Sequence, residues 1–177
     1  MNIVLLTGSA HRSGTTAALA REFQRGAEDA GHEVFRFDTA FREVHPCIGC
    51  DRCRREGVCT FAADDMKRLN PHLLAAEAVV FVSPIYYFDL SAQLKAVIDR
   101  FYANDDALHG GKRALLLTAM ADEDLGAAEG ADATFRSICA YLQWENAGIL
   151  NAAGASTAED LTEEDLRRAY DLGKDLK

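Results

Sequence analysis

The sequence predicts a doubly wound α/β fold of three layers, in which helices cover both faces of a five-stranded parallel sheet. Short aliphatic runs alternate with amphipathic segments along the whole chain, which is the pattern of successive strand-helix units. The run AVVFVS is almost entirely apolar, as a central strand covered on both faces should be. Five such units within 177 residues favour the strand order 2-1-3-4-5 over a six-stranded arrangement.

Local signals set the expected ends of these elements. Gly31 follows the first helix, Ser91 is a plausible N-cap, and Thr162 with Asp165 resembles a capping box. The Asn70–Pro71 step predicts a break in the second helix, because proline is excluded from helix interiors. The predicted strands are residues 2–7, 32–37, 78–83, 113–120 and 145–154. The predicted helices are residues 15–30, 64–77, 91–102, 126–142 and 162–176.

Size and charge limit the classes of function. The length fits one domain, residues 1–177, with a cysteine-rich insertion at about 45–61. The formal charge of −9 argues against broad binding to nucleic acid or to an anionic membrane, since both require a basic face. No apolar run is long enough to span a membrane and no basic segment precedes the first strand, so we expect a cytoplasmic protein.

The loop after the first strand, TGSAHRSGTT, has the character of a phosphate site. It matches neither the Walker A motif nor GxGxxG. It is nevertheless rich in hydroxyl groups and leads into a helix N-terminus, where free amides and the helix dipole favour an anion. The absence of a lysine or a magnesium-binding acid there suits a single phosphate monoester better than a triphosphate. The alternative is an ordinary capped turn.

The loop after the third strand, SPIYYFDLSAQ, brings a proline and three aromatics to the carboxyl end of that strand. In a doubly wound sheet, ligands bind at the carboxyl ends of the strands, at the switch point between strands one and three. The loops that follow Thr7, Ser83 and Thr118 should therefore converge. An apolar, flat surface beside a phosphate site suggests a flavin.

The motifs in these two loops together resemble those of a known family. It is similar to the NADPH-dependent FMN reductase branch of the flavodoxin-like superfamily, which carries a GSPRxxGxT-type loop and a later PxYxxxxSxxLKxxxDR stretch. The residues that carry the resemblance are Gly8, Ser9, Gly14, Thr16, Pro84, Tyr86, Ser91, Leu94, Lys95, Asp99 and Arg100.

The resemblance implies a set of FMN-binding residues. The FMN phosphate would be held by Ser9, His11, Ser13, Gly14, Thr15 and Thr16, and the isoalloxazine would be bordered by Pro84, Ile85, Tyr86, Tyr87 and Phe88. Thr118, Ala119 and Met120 are further expected ring contacts, although the glycine often found there is missing. His11 stands where the family usually has arginine. Lys95, Asp99 and Arg100 are expected to pack the helix and form ion pairs.

Four of the five cysteines lie in the short segment CIGCDRCRREGVC. In a reducing compartment such clustering favours metal binding or redox chemistry over structural disulfides. Three cysteines at successive two-residue gaps fit zinc poorly, and a thioredoxin-like dithiol usually begins a helix, whereas this segment reads as a loop. The interleaved arginines would stabilise a [4Fe-4S] cluster, which leaves net negative charge on its thiolate ligands. Free or redox-active thiols, zinc and a disulfide stay open as alternatives.

The resemblance narrows at this segment to iron-sulfur flavoproteins, and it implies that Cys47, Cys50, Cys53 and Cys59 bind one [4Fe-4S] cluster. Cys139 reads instead as a core residue, and His45 as a loop residue.

The function that the resemblance implies is FMN-dependent NAD(P)H oxidoreduction, with electrons passed to an unknown acceptor or exchanged with the cluster. The bound cofactor would carry the chemistry, so no dedicated acid or base is expected. One alternative is a non-enzymatic electron-transfer flavoprotein charged by ferredoxin, and another is a flavin-free binding or zinc-stabilised module. The family analogy implies a homodimer or homotetramer.

Overall fold

A computed structural model describes the whole chain, residues 1–177, and its centre is a parallel sheet. Five parallel strands follow the order β2-β1-β3-β5-β6, so the predicted order is confirmed. A two-residue strand, β4, pairs antiparallel with the end of β3 and was not predicted. The strands are β1 (Asn2–Thr7), β2 (Glu33–Asp38), β3 (Ala78–Tyr86), β4 (Asp89–Leu90), β5 (Arg113–Ala119) and β6 (Glu145–Ala152).

Helices cover both faces of this sheet. One apolar core joins α1 and α7 to one face, and a second joins α3, α4 and α6 to the other. The helices are α1 (Thr15–Asp29), α2 (Arg52–Glu56), α3 (Met66–Ala75), α4 (Ala92–Asp99), α5 (Asp105–Leu108), α6 (Glu129–Leu142) and α7 (Glu163–Lys174). None of them combines the length and the apolar character that crossing a membrane requires.

Two expectations about the helices were wrong. Helix α3 runs through Pro71 without a break. Leu69 and Leu73 on either side of the proline are fully buried, so packing compensates for the missing amide hydrogen bond. The cysteine segment, expected to be a loop, contains α2, whose start at Asp51 and end at Gly57 both have a left-handed backbone.

The three expected caps are present. The Ser91 hydroxyl accepts a hydrogen bond from the Leu94 amide, and Thr162 with Asp165 forms a complete capping box. Gly31 follows α1 with φ of 82°, a conformation that glycine adopts without strain. The local signals therefore fix the start of α4, the start of α7 and the end of α1.

Helices α1 and α7 approach each other closely enough to exclude side chains at their contact. A Cβ atom on Gly26 would lie 2.0 Å from the carbonyl oxygen of Tyr170, and one on Gly173 would lie 2.1 Å from that of Phe23. Only glycine fits at these two positions. Helix α7 is therefore packed directly against the helix that follows the TGSAHRSGTT loop.

Candidate functional site

A cleft of about 720 Å³ opens at the carboxyl ends of the parallel strands. Its size lies within the range of roughly 300–1,000 Å³ that small-molecule sites occupy. The end of β3 and the loops that follow β1, β5 and β6 contribute to it, so the segments after Thr7, Ser83 and Thr118 converge as expected and a fourth segment joins them. The predicted residues that line this cleft are Ser9, His11, Ser13, Gly14, Thr15, Pro84, Ile85, Tyr86, Ala119 and Met120.

The β1–α1 loop gives one end of the cleft its anion-binding character. No side chain caps α1 at Gly14, and its first turn contains no acidic residue, so the first amides of the helix are free for an external acceptor. The Ser9 hydroxyl accepts a 3.0 Å hydrogen bond from the His11 amide, which fixes the loop and leaves the hydroxyl hydrogen available to a ligand. His11 is the basic side chain that lines this cleft.

Arg12 does not line the cleft. Its guanidinium carbon lies 3.7 Å from the centre of the Phe41 ring. It lines a smaller, adjoining cavity of about 70 Å³, together with Arg36 and Asp38, and this cavity shares Ser9 and His11 with the cleft. The donors that this loop presents to the cleft are therefore its backbone amides, its hydroxyl groups and the imidazole of His11.

Two serines connect the phosphate-type loop to the start of α4 and to β3. Ser91 Oγ donates a 2.8 Å hydrogen bond to the carbonyl oxygen of Gly8, and the Ser91 amide donates to Ser83 Oγ at 2.9 Å. A Cβ atom on Gly8 would lie 2.4 Å from Ser91 Oγ. A glycine is therefore required where this loop meets the start of α4.

The other end of the cleft is apolar. Pro84, Ile85 and Tyr86 form one wall at the end of β3. Ala119 and Met120 form the neighbouring wall after β5, and both are almost completely buried. The cleft therefore joins a polar, amide-rich end to an apolar slot.

Four predicted residues lie outside this cleft. Thr16 is buried and lines the smaller cavity beside Arg12. Thr118 is buried within the sheet, where its hydroxyl donates to Asn151 Oδ1 at 2.7 Å. Tyr87 and Phe88 form the tip of the β3–β4 hairpin, are 99% and 63% exposed, and have positive φ values of 47° and 67°.

Sequence reasoning missed one wall of the cleft. Residues 155–159, in the loop after β6, also line it, and so does Ala121, which follows β5. Within that loop Thr157 and Asp160 form a capping box around a short 3-10 turn. The stretch NAAGASTAED could have indicated this wall. It is a loop of small and hydroxylated residues that follows a parallel strand, so it lies at the carboxyl ends of the strands, where the cleft opens.

The four clustered cysteines line a second, separate cavity of about 20 Å³. None of them forms a disulfide; Cys47 and Cys50 are exposed, and Cys53 and Cys59 are half-buried. This cavity also contacts Arg100 and Tyr102, just beyond α4. The cysteine cavity and the large cleft share no lining residue.

Hydrogen bonds favour a thiolate at one of these cysteines. The Thr60 hydroxyl lies 3.3 Å from Cys50 Sγ, and this contact together with the Arg52 amide lowers the pKa of the Cys50 thiol below its ordinary value. The positive charge of Arg55 acts in the same direction. These contacts favour the thiolate form of Cys50.

Two of the three arginines within the segment are paired with carboxylates. Arg52 is paired with Glu56 at 2.7 Å, and Arg54 is paired with Asp105 at 2.8 Å. Arg55 has no carboxylate partner.

Four thiols are the donor set that a four-iron cluster requires, and here they line one cavity. No three cysteine, histidine or acidic side chains come close enough together to hold one ion. The ligands of a four-iron cluster each bond a different iron atom and so stand farther apart than the ligands of one zinc ion. Arg100 also lines the cavity, and its buried Nε has no acceptor, a donor that an anionic, sulfur-rich group would satisfy.

Cys139 is separate from this segment. It is buried in the core with Phe135 and Leu142, as the sequence predicted, and burial raises the pKa of its thiol to about 11.

The fold and the cleft together define a flavodoxin-like α/β protein with an anion-accepting site at the switch point of its sheet. The chain belongs to the NADPH-dependent FMN reductase family, whose family model matches residues 1–148.

Three similar proteins illustrate this relationship. An iron-sulfur flavoprotein of Methanocaldococcus jannaschii is 34% identical over 100 residues, covering 56% of this chain and 51% of that protein. An FMN-dependent NADH:quinone oxidoreductase of Methylorubrum extorquens is 31% identical over 126 residues, covering 63% of this chain and 62% of that protein. The solved NAD(P)H:quinone oxidoreductase of Methanothermobacter marburgensis has the same fold, with a TM-score of 0.74 and 20% identity over 99% of this chain and 95% of that one.

This chain spans only about half the length of the iron-sulfur flavoproteins that it matches. The matched region covers 51% of the Methanocaldococcus jannaschii protein and 50% of one from Archaeoglobus fulgidus.

Proposed function

We propose that this protein is an FMN-dependent NAD(P)H oxidoreductase that binds FMN in the large cleft. One observation carries this proposal: the amide-rich β1–α1 loop and the apolar slot at the carboxyl ends of β3 and β5 line the same cavity. A phosphate monoester joined to a flat aromatic ring matches both ends of such a cavity. Membership of the FMN reductase family supports the same cofactor.

In this proposal the phosphate is bound by the free amides at the start of α1 and by hydroxyl groups. The Ser9 hydroxyl is already oriented by the His11 amide, and Ser13 and Thr15 lie at the same end of the cleft. These donors are held before the ligand arrives, because Ser91 ties the loop to α4. Binding therefore requires little ordering of the loop.

The apolar walls orient the ring and exclude water. Bound FMN supplies hydride acceptance from the nicotinamide and electron delivery to an acceptor. Pro84, Ile85 and Met120 offer the ring a dry surface, and residues 155–158 line the cleft with small and hydroxylated side chains. The ionisable side chains lining the cleft are His11, Tyr86 and Glu159, and hydride transfer requires none of them as an acid or base.

We propose that the second cavity holds a [4Fe-4S] cluster bound by Cys47, Cys50, Cys53 and Cys59. Support comes from the four thiols around one cavity, from the absence of a disulfide and from the unpaired donor on Arg100. The cluster would supply one-electron exchange with the flavin or with a partner such as ferredoxin.

We propose that the protein works in the cytoplasm as a homodimer or homotetramer. The aromatic side chains of Tyr87 and Phe88 are exposed at a strained turn, which is typical of residues kept for contact with another molecule. Sedimentation of the FMN-loaded protein tests this proposal, and a monomer at micromolar concentration would contradict it.

An anaerobic visible spectrum tests the cofactors and the activity together. We expect the isolated protein, or the protein titrated with FMN, to show a flavin band that NADH or NADPH bleaches rapidly. We also expect acid-labile sulfide and about four iron atoms per chain.

Each contrary outcome overturns a different part of the proposal. A protein that neither releases nor takes up FMN has no flavin site. Bleaching by reduced ferredoxin alone would identify an electron carrier in place of a nicotinamide-dependent enzyme. A flavin band without iron after anaerobic reconstitution would refute the proposed cluster but would not affect the proposal of a reductase.

A further inference from the structure

One side chain fastens both ends of the cysteine segment. Arg100 Nη1 donates a 2.8 Å hydrogen bond to the carbonyl oxygen of His45, and Nη2 donates a 3.1 Å hydrogen bond to that of Phe61. His45 precedes Cys47 by two residues, and Phe61 follows Cys59 by two. The guanidinium therefore closes the loop that carries all four thiols.

A buried carboxylate completes this arrangement. Arg100 Nη1 also donates to Asp64 Oδ2 at 2.6 Å, and the side chains of both residues are only 3% exposed. Asp64 in turn accepts hydrogen bonds from the amides of His45 and Met66. The pair thus binds the backbone before the first cysteine to the backbone after the last one.

The residues just beyond Arg100 fasten the middle of the segment. Tyr102 Oη donates to Asp51 at 2.9 Å, directly before α2. Arg54, within α2, donates to Asp105 at 2.8 Å, and Asp105 also accepts from Tyr141. Residues 100–105 therefore form a platform beneath the cysteine segment, and Arg100 is the member that contacts both of its ends.

We propose that Arg100 is the positioning residue that holds the cysteine segment in the arrangement that receives a [4Fe-4S] cluster. This inference rests on the cluster included in the proposed function. A free loop carrying four thiols would lose conformational entropy when it closed around a cluster, whereas the fastened loop has already lost it. Fastening by Arg100 should therefore raise both the extent and the persistence of iron binding.

The planar guanidinium is necessary for this role because it reaches three acceptors at once. Lysine keeps the charge but presents a single ammonium group, so it cannot reproduce the planar fork. Arg100→Lys should therefore give a partial defect. Arg100→Gln combined with Asp64→Asn removes the fastening without leaving a buried, unpaired charge, and it should give the full defect.

Lys112 provides a matched control. It is also a buried cation that donates to backbone carbonyl oxygens, those of Leu74 and Ala76, but it touches no part of the cysteine segment. Lys112→Met therefore tests whether a general loss of stability is enough to impair the cluster.

The experiment has two readouts on the full-length chain. The first is anaerobic reconstitution with ferrous iron and sulfide, followed by iron analysis and by the rate at which a chelator removes the iron. The second uses the metal-free protein and measures tryptic cleavage after the arginines of α2. FMN content reports that the rest of the fold is intact.

We expect the wild type and Lys112→Met to bind about four iron atoms per chain. The double variant should retain less than a quarter of that iron and lose it at least tenfold faster, while its FMN content stays the same. In the metal-free form its α2 arginines should be cleaved at least tenfold faster than in Lys112→Met. Arg100→Lys should lie between these values.

Full iron content with unchanged chelator resistance in the double variant would overturn the role of Arg100. A wild type that binds no iron would refute the cluster itself, and tryptic cleavage would still test the fastening. An equal iron loss in Lys112→Met would assign the effect to general stability and would also overturn the inference.

Discussion

Ser91 Oγ donates a hydrogen bond to the carbonyl oxygen of Gly8 and at the same time accepts one from the Leu94 amide at the start of α4. One hydroxyl group thus caps a helix and anchors the β1–α1 loop. The contact is fully buried, because Ser91 is 0% exposed. Any change at this atom should act on both the helix and the cleft.

Ser91→Ala should lower the free energy of unfolding by about 1–3 kcal/mol, since it removes a helix cap and leaves the Gly8 carbonyl oxygen without this partner. The same variant should bind FMN more weakly, because the β1–α1 loop is no longer held in place. Urea unfolding and FMN titration measure the two effects. Ser137→Ala, on the surface of α6, is the control, and an unchanged FMN affinity in Ser91→Ala would contradict the anchoring role.

Two substitutions at the tip of the β3–β4 hairpin should stabilise the protein. Replacing Tyr87 with Asn and Phe88 with Gly introduces the pair that two-residue turns with positive φ prefer. Relief of the two strained conformations should stabilise the monomeric chain by about 1–3 kcal/mol. Thermal unfolding at low protein concentration measures this. A loss of stability would mean that the aromatic rings already contribute contacts that outweigh the strain.

The ionisation of Asp38 should contribute to the pH dependence of the free energy of unfolding. Burial opposes its ionisation, but hydrogen bonds from Thr7 at 2.7 Å and from Arg36 at 2.8 Å outweigh burial and hold the pKa of this carboxyl below its ordinary value. A carboxyl whose pKa is lower in the folded state stabilises the fold above its unfolded pKa, and this contribution is lost as the pH falls through the folded pKa.

Asp38→Asn should therefore be less stable than the wild type at neutral pH, and the difference should shrink as the pH falls below about 4. Denaturant unfolding at a series of pH values measures it. Glu33→Gln, an exposed carboxylate on the same strand, is the control. A difference that is constant with pH would show that the charge of Asp38 does not contribute.

The cysteines should differ in reactivity. In the metal-free, folded protein at about pH 8, iodoacetamide should label the four thiols of the segment and spare Cys139, because burial raises the pKa of that thiol to about 11. Cys50 should be labelled first, since its hydrogen bonds favour the thiolate. Peptide mass mapping checks the order, and labelling of Cys139 before unfolding would contradict its burial.

The sequence predicted those features that depend on local pattern. The aliphatic runs of β1, β3 and β5, the cap at Ser91 and the glycine after α1 all follow from residues close together in the chain. The convergence of three loops followed from the general geometry of parallel sheets. These features together located the cleft and most of its lining residues.

Features that depend on distant contacts were not predictable in this way. Helix α3 continues through Pro71 because Leu69 and Leu73 are buried against other elements, which a local rule does not include. Tyr87 and Phe88 leave the cleft because a two-residue strand turns the chain back on β3. The fastening of the cysteine segment by Arg100 joins residues 36 to 55 positions apart in the chain.

The glycine contacts between α1 and α7 bear on the order of events during synthesis. Helix α1 is made early, but its face towards Gly173 is covered only after residues 163–174 leave the ribosome. Until then the helix that presents the anion-binding amides lacks its outer support. Cofactor loading should therefore be post-translational, and stalled nascent chains that end before α7 should retain no flavin.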